Sequence, residues 1–331
     1  MFSSNDESGL VKVLSLLKAH PTEYLSGQDL SDVLKISRVA VWKHIQKIRE
    51  LGYTIESKQK LGYRLESNTD ALLPWEIMPE LGTESIGRNM YYFDTTDSTQ
   101  RQAIGMAANG APDGTIIIAK TQSDGRGRSS KRWISPKGSI GISVILRPRF
   151  DILAITLFPM AASLALSSAI KKTLDIQTHL KWPNDLVLKD KKVAGILVDA
   201  SLESNRIESL VLGVGINFDI DAKSVEKMLK DTPNFYGASS LLKNKKTHPR
   251  ILVRMFLEEL ENVYYSMNRG ETDWIVKEWT RLSCTIGRNI SVSTAGKTIS
   301  GKAIRMDDDG ALMVRKDGKL VRVMAGDIVH V

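Results

Sequence analysis

Cysteine is nearly absent from this chain: Cys284 is the single thiol among 331 residues. One thiol cannot form an intrachain disulfide, which predicts a protein of the reducing cytoplasm. The five histidines never stand at metal-ligand spacing, and the cysteine has no partner for a zinc site. The Gly-x-Ser-x-Gly elbow of serine hydrolases is also missing. These absences argue against disulfide-stabilised secreted domains, zinc proteins and α/β-hydrolases.

Long uncharged stretches are missing too, with one exception. Residues 152–170 carry no charge, but Pro159 and several serines and threonines interrupt them, and no second such stretch exists. A membrane span needs about 20 predominantly apolar residues, so a buried helix packed on a sheet is the preferred interpretation. The N-terminal residues are acidic and lack a secretory pattern.

The chain has the composition of a soluble globular protein, with 42% hydrophobic and 25% charged residues. At 331 residues it is too long for one ordinary core, which predicts two or three domains. Its formal net charge is +8. A charge of this size suggests polyanionic partners without identifying one.

Residues 1–67 predict three helices and a β-hairpin. Ser26 and Ser37 are N-cap residues for the second and third helices, and Gly52 ends the third. Two helices joined by a short turn and followed by a hairpin form a winged helix-turn-helix. The predicted buried faces are Leu10, Val13, Leu14 and Leu17 in the first helix, Leu30, Val33 and Leu34 in the second, and Val41, Ile45 and Ile48 in the third.

Positive charge is concentrated in this region. Residues 35–64 contain eight lysines and arginines against two glutamates, a net charge of +6. This favours a DNA-binding face over its alternatives, a solvated lysine-rich helix or a surface for protein contacts. No role follows for Trp42. The predicted contacts lie in the helix-turn-helix from Gly27 to Gln46, especially Ser37, Arg38, Lys43, His44 and Lys47, and in the wing at Lys58 and Lys60.

The rest of the chain predicts two further domains, at residues 75–283 and 284–331, after a short polar linker at residues 65–74. Strands and helices alternate irregularly in the first of these, with helices expected at 153–174, 248–268 and 273–282. This pattern favours an α+β domain with a mixed, largely antiparallel sheet over βαβ repeats. Short strands around Asp-Gly turns predict a small β-barrel at the C-terminus.

A basic loop at residues 122–133 is the most informative motif. Residues 124–138 contain five cations against one anion, Asp124, and set arginines between glycines. Glycine lets the backbone approach a ligand closely, while arginine offers bidentate donors to phosphate. A strand follows instead of a helix, which argues against a P-loop or a dinucleotide fingerprint. The loop therefore predicts a site for a small polyanion; a solvated turn is the alternative.

A second motif lies at residues 181–198. Pro183 cannot continue a strand, so Asn184 and Asp185 present an amide and a carboxylate at a strand end. Lys191 and Lys192 follow in a tight turn, and residues 193–198 predict the returning strand of a hairpin.

Together these segments resemble the catalytic core of biotin–protein ligases. The resemblance is carried by Gly-Arg-Gly-Arg at 125–128, Lys-Trp-Pro-Asn-Asp at 181–185, Lys-x-Ala-Gly-Ile-Leu at 192–197 and Gly-Val-Gly-Ile-Asn at 213–217, and it covers roughly residues 75 to 331. The N-terminal region extends it to the bifunctional ligases that are also biotin operon repressors. Ser130 and Lys131 depart from the family, which usually has Gly or Asn and then Arg; the departure concerns loop flexibility and one phosphate contact.

The resemblance implies an α+β fold with a class II synthetase-like central domain and an SH3-like C-terminal barrel. It also implies two activities: ATP-dependent formation of biotinyl-5′-AMP with transfer to a lysine of a biotin carboxyl carrier protein, and repression of biotin biosynthesis and transport genes with biotinyl-AMP as corepressor. Biotin, ATP and Mg²⁺ would be required, without a tightly bound metal. The implied partners are the carrier domain of acetyl-CoA or pyruvate carboxylase, operator DNA and a second copy of the chain, with no membrane.

The implied site residues fall into three groups. The catalytic group is Lys192, Arg126, Arg128, Lys181 and Asp185, with Asp185 also a candidate Mg²⁺ ligand. Biotin would contact Ser98, Thr99, Gln100, Gln122, Arg126, Gly127, Arg128, Lys192, Gly195 and Gly213. The nucleotide would contact Gly125, Arg126, Arg128, Lys131, Arg132, Asn184 and Asn217. For Lys181, Asp185 and Lys192 the alternative is an ordinary surface ion pair.

Three other functions stay open at this point. Lipoate ligases share the resembling core, although the two basic motifs favour biotin. The chain could also be a ligand-responsive transcription factor with an inert enzyme domain, or a ligase whose winged helix no longer regulates.

Overall fold

A computed structural model describes residues 1–4, 8–129, 131–204, 206–232, 234–242, 247–294 and 297–331. Ser130, at which the sequence departs from the family pattern, lies outside the described residues.

The N-terminal region forms the predicted winged helix-turn-helix. The Ser26 hydroxyl accepts a hydrogen bond from the Asp29 amide at 3.0 Å, and the Ser37 hydroxyl accepts one from the Ala40 amide at 3.2 Å, so both helices start at their predicted caps. The predicted buried faces are confirmed except in α2, where Val33 is 63% exposed and Leu34 is only partly buried. The elements are β1 (Phe2–Ser3), α1 (Gly9–Ala19), α2 (Gly27–Leu34), α3 (Arg38–Glu50), β2 (Thr54–Lys58) and β3 (Gly62–Ser67).

The segment after β3 is packed, although its polar sequence predicts a linker. Thr69 is buried, and its hydroxyl donates to the Leu51 carbonyl at 2.6 Å. Leu72 and Leu73 are also buried. The mostly polar composition of this segment predicts an exposed linker in spite of these two leucines. Their burial fixes the chain before the short helix α4 (Pro74–Ile77).

The central region is built on an eight-stranded sheet with the order β1-β4-β5-β8-β12-β11-β10-β9. Only the pair β4–β5 is parallel among the described strands of this sheet, which confirms the predicted mixed, largely antiparallel sheet. Its strands are β4 (Met90–Thr96), β5 (Thr115–Gln122), β8 (Ser139–Leu146), β9 (His179–Lys181), β10 (Asp185–Leu188), β11 (Lys191–Glu203) and β12 (Arg206–Asn217). A separate two-stranded ribbon, β6 (Gly125–Arg126) and β7 (Arg132–Trp133), precedes β8.

Helices cover both faces of this sheet. On one face, α5 (Thr99–Ala108) buries Ala103 and Ala107 against Ile117, Ile145 and Val211. The other face packs against α6 (Phe158–Leu174), α8 (Pro249–Asn268) and α9 (Asp273–Leu282); α7 (Ala222–Leu229) lies between β12 and α8 in the chain.

Helix α6 starts later than the predicted residue 153. Residues Ile152–Thr156 form a 3₁₀ turn in which the Leu153 amide donates to the Asp151 carboxylate. The α-helix begins at Phe158, with Pro159 in its first turn. Proline is tolerated there because the first amides of a helix have no intrahelical acceptor. No helix in the described part of the chain is long and apolar enough to cross a membrane.

The C-terminal region is a five-stranded antiparallel sheet with the order β16-β15-β14-β13-β17. Trp182, at the end of β9, joins it to the central region: its indole donates to the Gly310 carbonyl at 3.1 Å. The strands are β13 (Asn289–Thr294), β14 (Lys297–Met306), β15 (Leu312–Lys316), β16 (Lys319–Val323) and β17 (Asp327–His330).

Candidate active site and nucleic-acid interface

A cavity of about 500 Å³ opens beside the N-terminus of α5, on the same face of the sheet. Two predicted residues lie elsewhere: Gly125 lines a second cavity of about 430 Å³ on the other side of the basic loop, and Lys181 lines neither. The structure brings the remaining predicted residues together in the wall of the first cavity: Ser98, Thr99, Gln100, Gln122, Arg126, Gly127, Arg128, Lys131, Arg132, Asn184, Asp185, Lys192, Gly195, Gly213 and Asn217.

Small residues on two strands make room for this cavity. Alternate residues of a strand point to opposite faces, so Gly141 and Ser143 of β8 and Gly213 and Gly215 of β12 all face the α5 side. A Cβ at Gly213 would lie 2.4 Å from Gln100 Oε1, and one at Gly215 would lie 2.3 Å from the Trp133 ring. A side chain at either position would therefore displace Gln100 or Trp133 from the place it occupies. Gly213 was predicted as a site residue and Gly215 was not. The role of Gly215 follows from its position two residues after Gly213 on the same strand, which places both on one face of the sheet.

Hydrogen-bonded side chains form the floor of the cavity. The Gln122 carbonyl oxygen accepts from the Thr99 amide at 2.9 Å, and the Ser143 hydroxyl donates to Gln100 Oε1 at 3.0 Å. The Gln100 amide in turn donates to Asp199 Oδ2 at 2.9 Å. All of these groups are therefore fixed before any ligand arrives.

Two buried polar atoms of the cavity have neither a hydrogen-bond nor an ion-pair partner among the described residues: Ser98 Oγ and Trp133 Nε1. A third, Asp185 Oδ1, accepts no hydrogen bond but lies 2.6 Å from Lys192 Nζ. Buried polar groups in native proteins are almost always hydrogen-bonded. Ser98 and Trp133 both line the cavity, so a bound ligand with a donor and an acceptor satisfies them. Trp133 is the last residue of the basic loop, and its residue type alone predicts no role; the buried and unpaired Nε1 atom indicates one.

The basic loop is held by oxygen atoms from three different parts of the fold. Arg126 Nη1 lies 3.3 Å from Asp199 Oδ2, and Arg128 donates to Asn184 Oδ1 at 2.9 Å. Burial lowers the pKa of the Arg128 guanidinium from its usual value. Lys131 lies 2.9 Å from Asp327 at the start of β17. Asp327 also lines the cavity, although no pattern in the sequence places it there.

Asp185 and Lys192 face each other across the hairpin of β10 and β11. Lys192 Nζ lies 2.6 Å from Asp185 Oδ1, and the Tyr236 hydroxyl donates to Asp185 Oδ2 at 2.7 Å. The Lys192 ammonium group also lies 5.5 Å from the centre of the Trp133 ring. Lys192 thus remains at the cavity wall, paired with a carboxylate.

Lys181 is buried behind this pair. Its ammonium nitrogen lies 3.1 Å from the centre of the Tyr236 ring, and the residue is 4% exposed. Burial lowers the pKa of Lys181 to about 8, while burial and the nearby Asp185 carboxylate raise the pKa of the Tyr236 hydroxyl well above its usual value. Lys181 was predicted to contact phosphate or polarise the attacking amine; in this structure Tyr236 separates it from the cavity.

An apolar wall closes the cavity opposite the basic loop. It consists of Val225 and Met228 of α7 and Phe235 of the following segment. Met228 is 66% exposed, so the wall still reaches solvent. These residues were not predictable from the sequence, because a short amphipathic helix after a strand has no functional signature.

A protein-only metal site is not formed here. The described residues contain no cluster of three His, Cys, Asp or Glu side chains that could hold a metal ion. The Asp185 carboxylate, the candidate Mg²⁺ ligand, already contacts Lys192 and Tyr236.

The helix-turn-helix has an exposed cationic face. Ser37, Arg38, Lys43 and Lys47 are exposed on it, and Lys47 pairs with Glu50 at 2.9 Å. The structure does not bring His44 onto this face.

The His44 ring lies against Gly9 of α1, where a Cβ would approach His44 Nε2 to 2.6 Å. In the wing, Lys58 and Lys60 are exposed.

Three family models match the chain. The HTH domain matches residues 10–64, the Biotin/lipoate A/B protein ligase family matches residues 92–217, and the Biotin protein ligase C terminal domain matches residues 285–331.

Similar curated proteins cover nearly the whole chain. The bifunctional ligase/repressor BirA of Bacillus subtilis is 34% identical over 96% of this chain and 97% of its own length. That of Escherichia coli is 26% identical over 98% of this chain and 97% of its own length. The biotin–[acetyl-CoA-carboxylase] ligase of Mycobacterium tuberculosis is 31% identical over 76% of this chain and 92% of its own length.

The fold is shared with solved structures. A biotin protein ligase from Aquifex aeolicus in complex with biotin and ATP superposes with a TM-score of 0.61 at 22% identity, over 72% of this chain and 97% of that one. From the identity and coverage of the curated relatives and the three family models, the chain belongs to the biotin–protein ligases of the bifunctional ligase/repressor family.

Proposed function

We propose that this protein is an ATP-dependent ligase that activates biotin as biotinyl-5′-AMP and transfers the biotinyl group to a specific lysine of a biotin carboxyl carrier protein. One observation carries the proposal: Arg126, Arg128 and Lys192 converge with buried hydroxyl and amide groups on a single cavity of about 500 Å³. A cavity of that size suits a small organic acid together with part of a nucleotide.

The first step joins two anions. A carboxylate oxygen of biotin attacks the α-phosphorus of ATP, a P–O bond forms, and pyrophosphate leaves with the electrons of the broken bond. Catalysis of such a step depends on positioning and on neutralising charge. Arg126 and Arg128 supply planar donors to the phosphate oxygens, and Lys192 supplies a point charge to the carboxylate or the phosphate.

The buried polar side chains at the floor of the cavity bind biotin. The ureido ring of biotin carries both N–H donors and a carbonyl acceptor. Ser98 Oγ, which has no partner among the described residues, and the side chains of Thr99, Gln100 and Gln122 offer matching groups.

The second step releases the nucleotide. The neutral ε-amine of the carrier lysine attacks the acyl carbon and a C–N bond forms. The C–O bond to AMP breaks, AMP leaves with the electrons of that bond, and the amine nitrogen gives a proton to water. Lys181 acts through Tyr236 and Asp185 instead of touching the substrate, because the Tyr236 ring covers it.

Mg²⁺ enters with ATP as part of the substrate. Mg²⁺ usually keeps several waters and binds substrate phosphates together with one or two carboxylates. Asp185, one of the two carboxylates that line the cavity, would hold it, and this would require that Lys192 turn from Asp185 to the phosphate.

The second activity is repression of biotin biosynthesis and transport genes, with biotinyl-AMP as corepressor, in the cytoplasm. The exposed cationic face of α3 supports DNA binding. One winged helix reads a short half-site, so the repressor binds as a homodimer. Biotinyl-AMP that orders the basic loop favours the dimer, which couples biotin supply to transcription.

Incubation of the protein with biotin, ATP, Mg²⁺ and a carrier domain tests the enzymatic function. We expect pyrophosphate release and a biotinylated carrier, detected with streptavidin. Lys192→Ala should abolish both, whereas Lys191→Ala should not, since Lys191 points away to Glu226 at 2.7 Å. Equal activity with lipoate, or a Lys192→Ala variant as active as the wild type, would contradict the proposal.

Sedimentation with and without biotinyl-AMP tests the dimer, and a gel shift on the promoters of biotin genes tests repression. A dimerisation constant indifferent to biotinyl-AMP would remove the proposed link between the two activities.

A further inference from the structure

Two large apolar side chains on the third helix face solvent in the full chain. Val39 is 64% exposed and Trp42 is 53% exposed. Scattered apolar residues on a surface need no explanation. These two, however, are three residues apart and therefore adjacent on one side of α3. The core side of the same helix is occupied by Val41, Ile45 and Ile48, so the pair does not belong to the hydrophobic core of the domain.

The Trp42 indole is held in place on the helix surface. In the amide orientation that satisfies both donors, Gln46 Oε1 accepts from Trp42 Nε1 at 3.3 Å and from Arg49 Nη1 at 3.1 Å. Arg49 is in turn fixed to the wing, because it donates to the Ile55 carbonyl at 2.8 Å and to the Ser57 hydroxyl at 2.6 Å. An aromatic ring oriented in this way loses little conformational entropy on binding.

Charge surrounds this apolar pair. Arg38, Lys43 and Lys47 lie on the same exposed side of α3, and the wing adds Lys58 and Lys60. Such a surface complements the major groove of DNA, in which the apolar 5-methyl groups of thymine lie between two rows of phosphates. A partner protein would need a matching acidic rim around an apolar centre, and nothing else in the described chain points to one.

We propose that Val39 and Trp42 are specificity-determining residues that contact thymine 5-methyl groups in the operator half-site. The inference rests on the proposed DNA-binding function and makes it specific. The lysines and arginines contact phosphates and set affinity for any sequence, while the apolar pair reads base edges.

The test begins with a duplex recovered by repeated selection from a random pool, using the full-length protein with biotin, ATP and Mg²⁺. Each thymine is then replaced by uracil, which removes only the methyl group. We expect one or two positions at which uracil weakens wild-type binding about fourfold, the equivalent of exposing one methyl group. Trp42→Ala should weaken binding to the selected duplex roughly tenfold or more and should lose its sensitivity to uracil at those positions.

Two control variants separate base reading from phosphate contact. Lys43→Ala should lower affinity for every duplex and reduce the slope of log K against log salt by about one, whereas Trp42→Ala should leave that slope and non-specific binding unchanged. Leu320 of β16 is 49% exposed, about as much as Trp42. Leu320→Ala should therefore leave both DNA affinity and uracil sensitivity unchanged.

Four outcomes would overturn the inference. A selected duplex that Trp42→Ala binds as tightly as the wild type would refute the base-reading role and leave DNA binding intact. The base-reading role would also be refuted if uracil weakened binding equally in the wild type and in Trp42→Ala. Weakened self-association of Trp42→Ala without DNA would make the patch a protein interface. A pool that yields no enriched sequence would instead refute the DNA-binding function itself, and the inference with it.

Discussion

The Nζ atom of Lys192 lies 2.6 Å from Oδ1 of Asp185, at the wall of the cavity that the basic loop borders. The second oxygen of this carboxylate accepts a hydrogen bond from the Tyr236 hydroxyl. Asp185 is thus held between a cation and a neutral donor, and it aligns the lysine that we propose to act on the reacting anions.

Replacing Tyr236 by phenylalanine tests this arrangement. The variant removes one hydrogen bond to a charged acceptor, and such bonds contribute about 1.5–3 kcal/mol. We expect the rate of pyrophosphate release to fall about tenfold or more, since each 1.4 kcal/mol corresponds to a factor of ten. The KM for biotin should stay unchanged, because Tyr236 does not belong to the polar floor. A variant as fast as the wild type would show that Lys192 alone orders Asp185.

The part of this site that lies in local motifs was predictable from the sequence. The glycine–arginine loop and Lys192 lie in continuous segments, and the residue types in these segments indicate the chemistry of the site. Asp327 and Tyr236 were not predictable, because they reach the cavity through contacts between segments far apart in the chain.

In the fold, too, local features were predictable from the sequence and long-range contacts were not. Helix caps such as Ser26 and Ser37 act on their own neighbours within three residues, and both were predicted correctly. The packing of residues 65–74 was not predicted, because Leu72 and Leu73 are buried against elements that are distant in the chain.

Gly213→Ala should impair biotin binding without unfolding the protein. The new Cβ would lie 2.4 Å from Gln100 Oε1, and Gln100 is already fixed by Asp199 and Ser143. The glutamine side chain must therefore move into the cavity. Overpacking of this kind costs about 1–3 kcal/mol of stability, and calorimetry should show a biotin Kd raised about tenfold or more, as for a lost polar contact of about 1.4 kcal/mol.

Gly105→Ala is the matched control for Gly213→Ala. Gly105 lies in α5, and a Cβ there meets nothing within 4 Å. Alanine in an exposed helical position is more favourable than glycine by about 0.5–1 kcal/mol, so the variant should be slightly more stable and bind biotin normally. Equal biotin affinity in both variants would mean that Gln100 does not contact the ligand.

Deletion of residues 1–67 should abolish DNA binding and spare biotin transfer, at a cost in stability. The deletion removes β1 from the edge of the sheet, where Phe2 packs on Trp75 with ring centres 5.4 Å apart. It also removes Tyr53 and Lys18, which both donate to the buried Glu76 carboxylate.

We expect the truncated protein to transfer biotin at a normal rate and to melt several degrees lower, at about 2–4 °C per kcal/mol lost. Its uncovered strand edge should promote aggregation. Phe2→Ala in the full chain should reproduce part of the loss in melting temperature. A truncated protein as stable as the full chain would show that the junction contributes no stability.

The burial of Lys181 makes stability depend on alkaline pH. Its pKa is about 8 in the folded protein, below the ordinary 10.5 that applies when the chain unfolds. Below pH 8 both states carry the proton, and the penalty for burying the charge is present in full. Between pH 8 and 10.5 the unfolded chain binds more protons than the folded one, so the free energy of unfolding rises with pH across this range.

Urea unfolding of the wild type and of Lys181→Met at several pH values measures this effect. Subtracting the variant removes the contribution of every other titrating group. We expect the wild type to gain stability relative to Lys181→Met from pH 8 upwards. Lys120→Met, which replaces an exposed lysine of β5, should run parallel to the wild type. A difference between wild type and Lys181→Met that does not change with pH would mean that Lys181 keeps its ordinary pKa, and that the Tyr236 ring leaves it in contact with water.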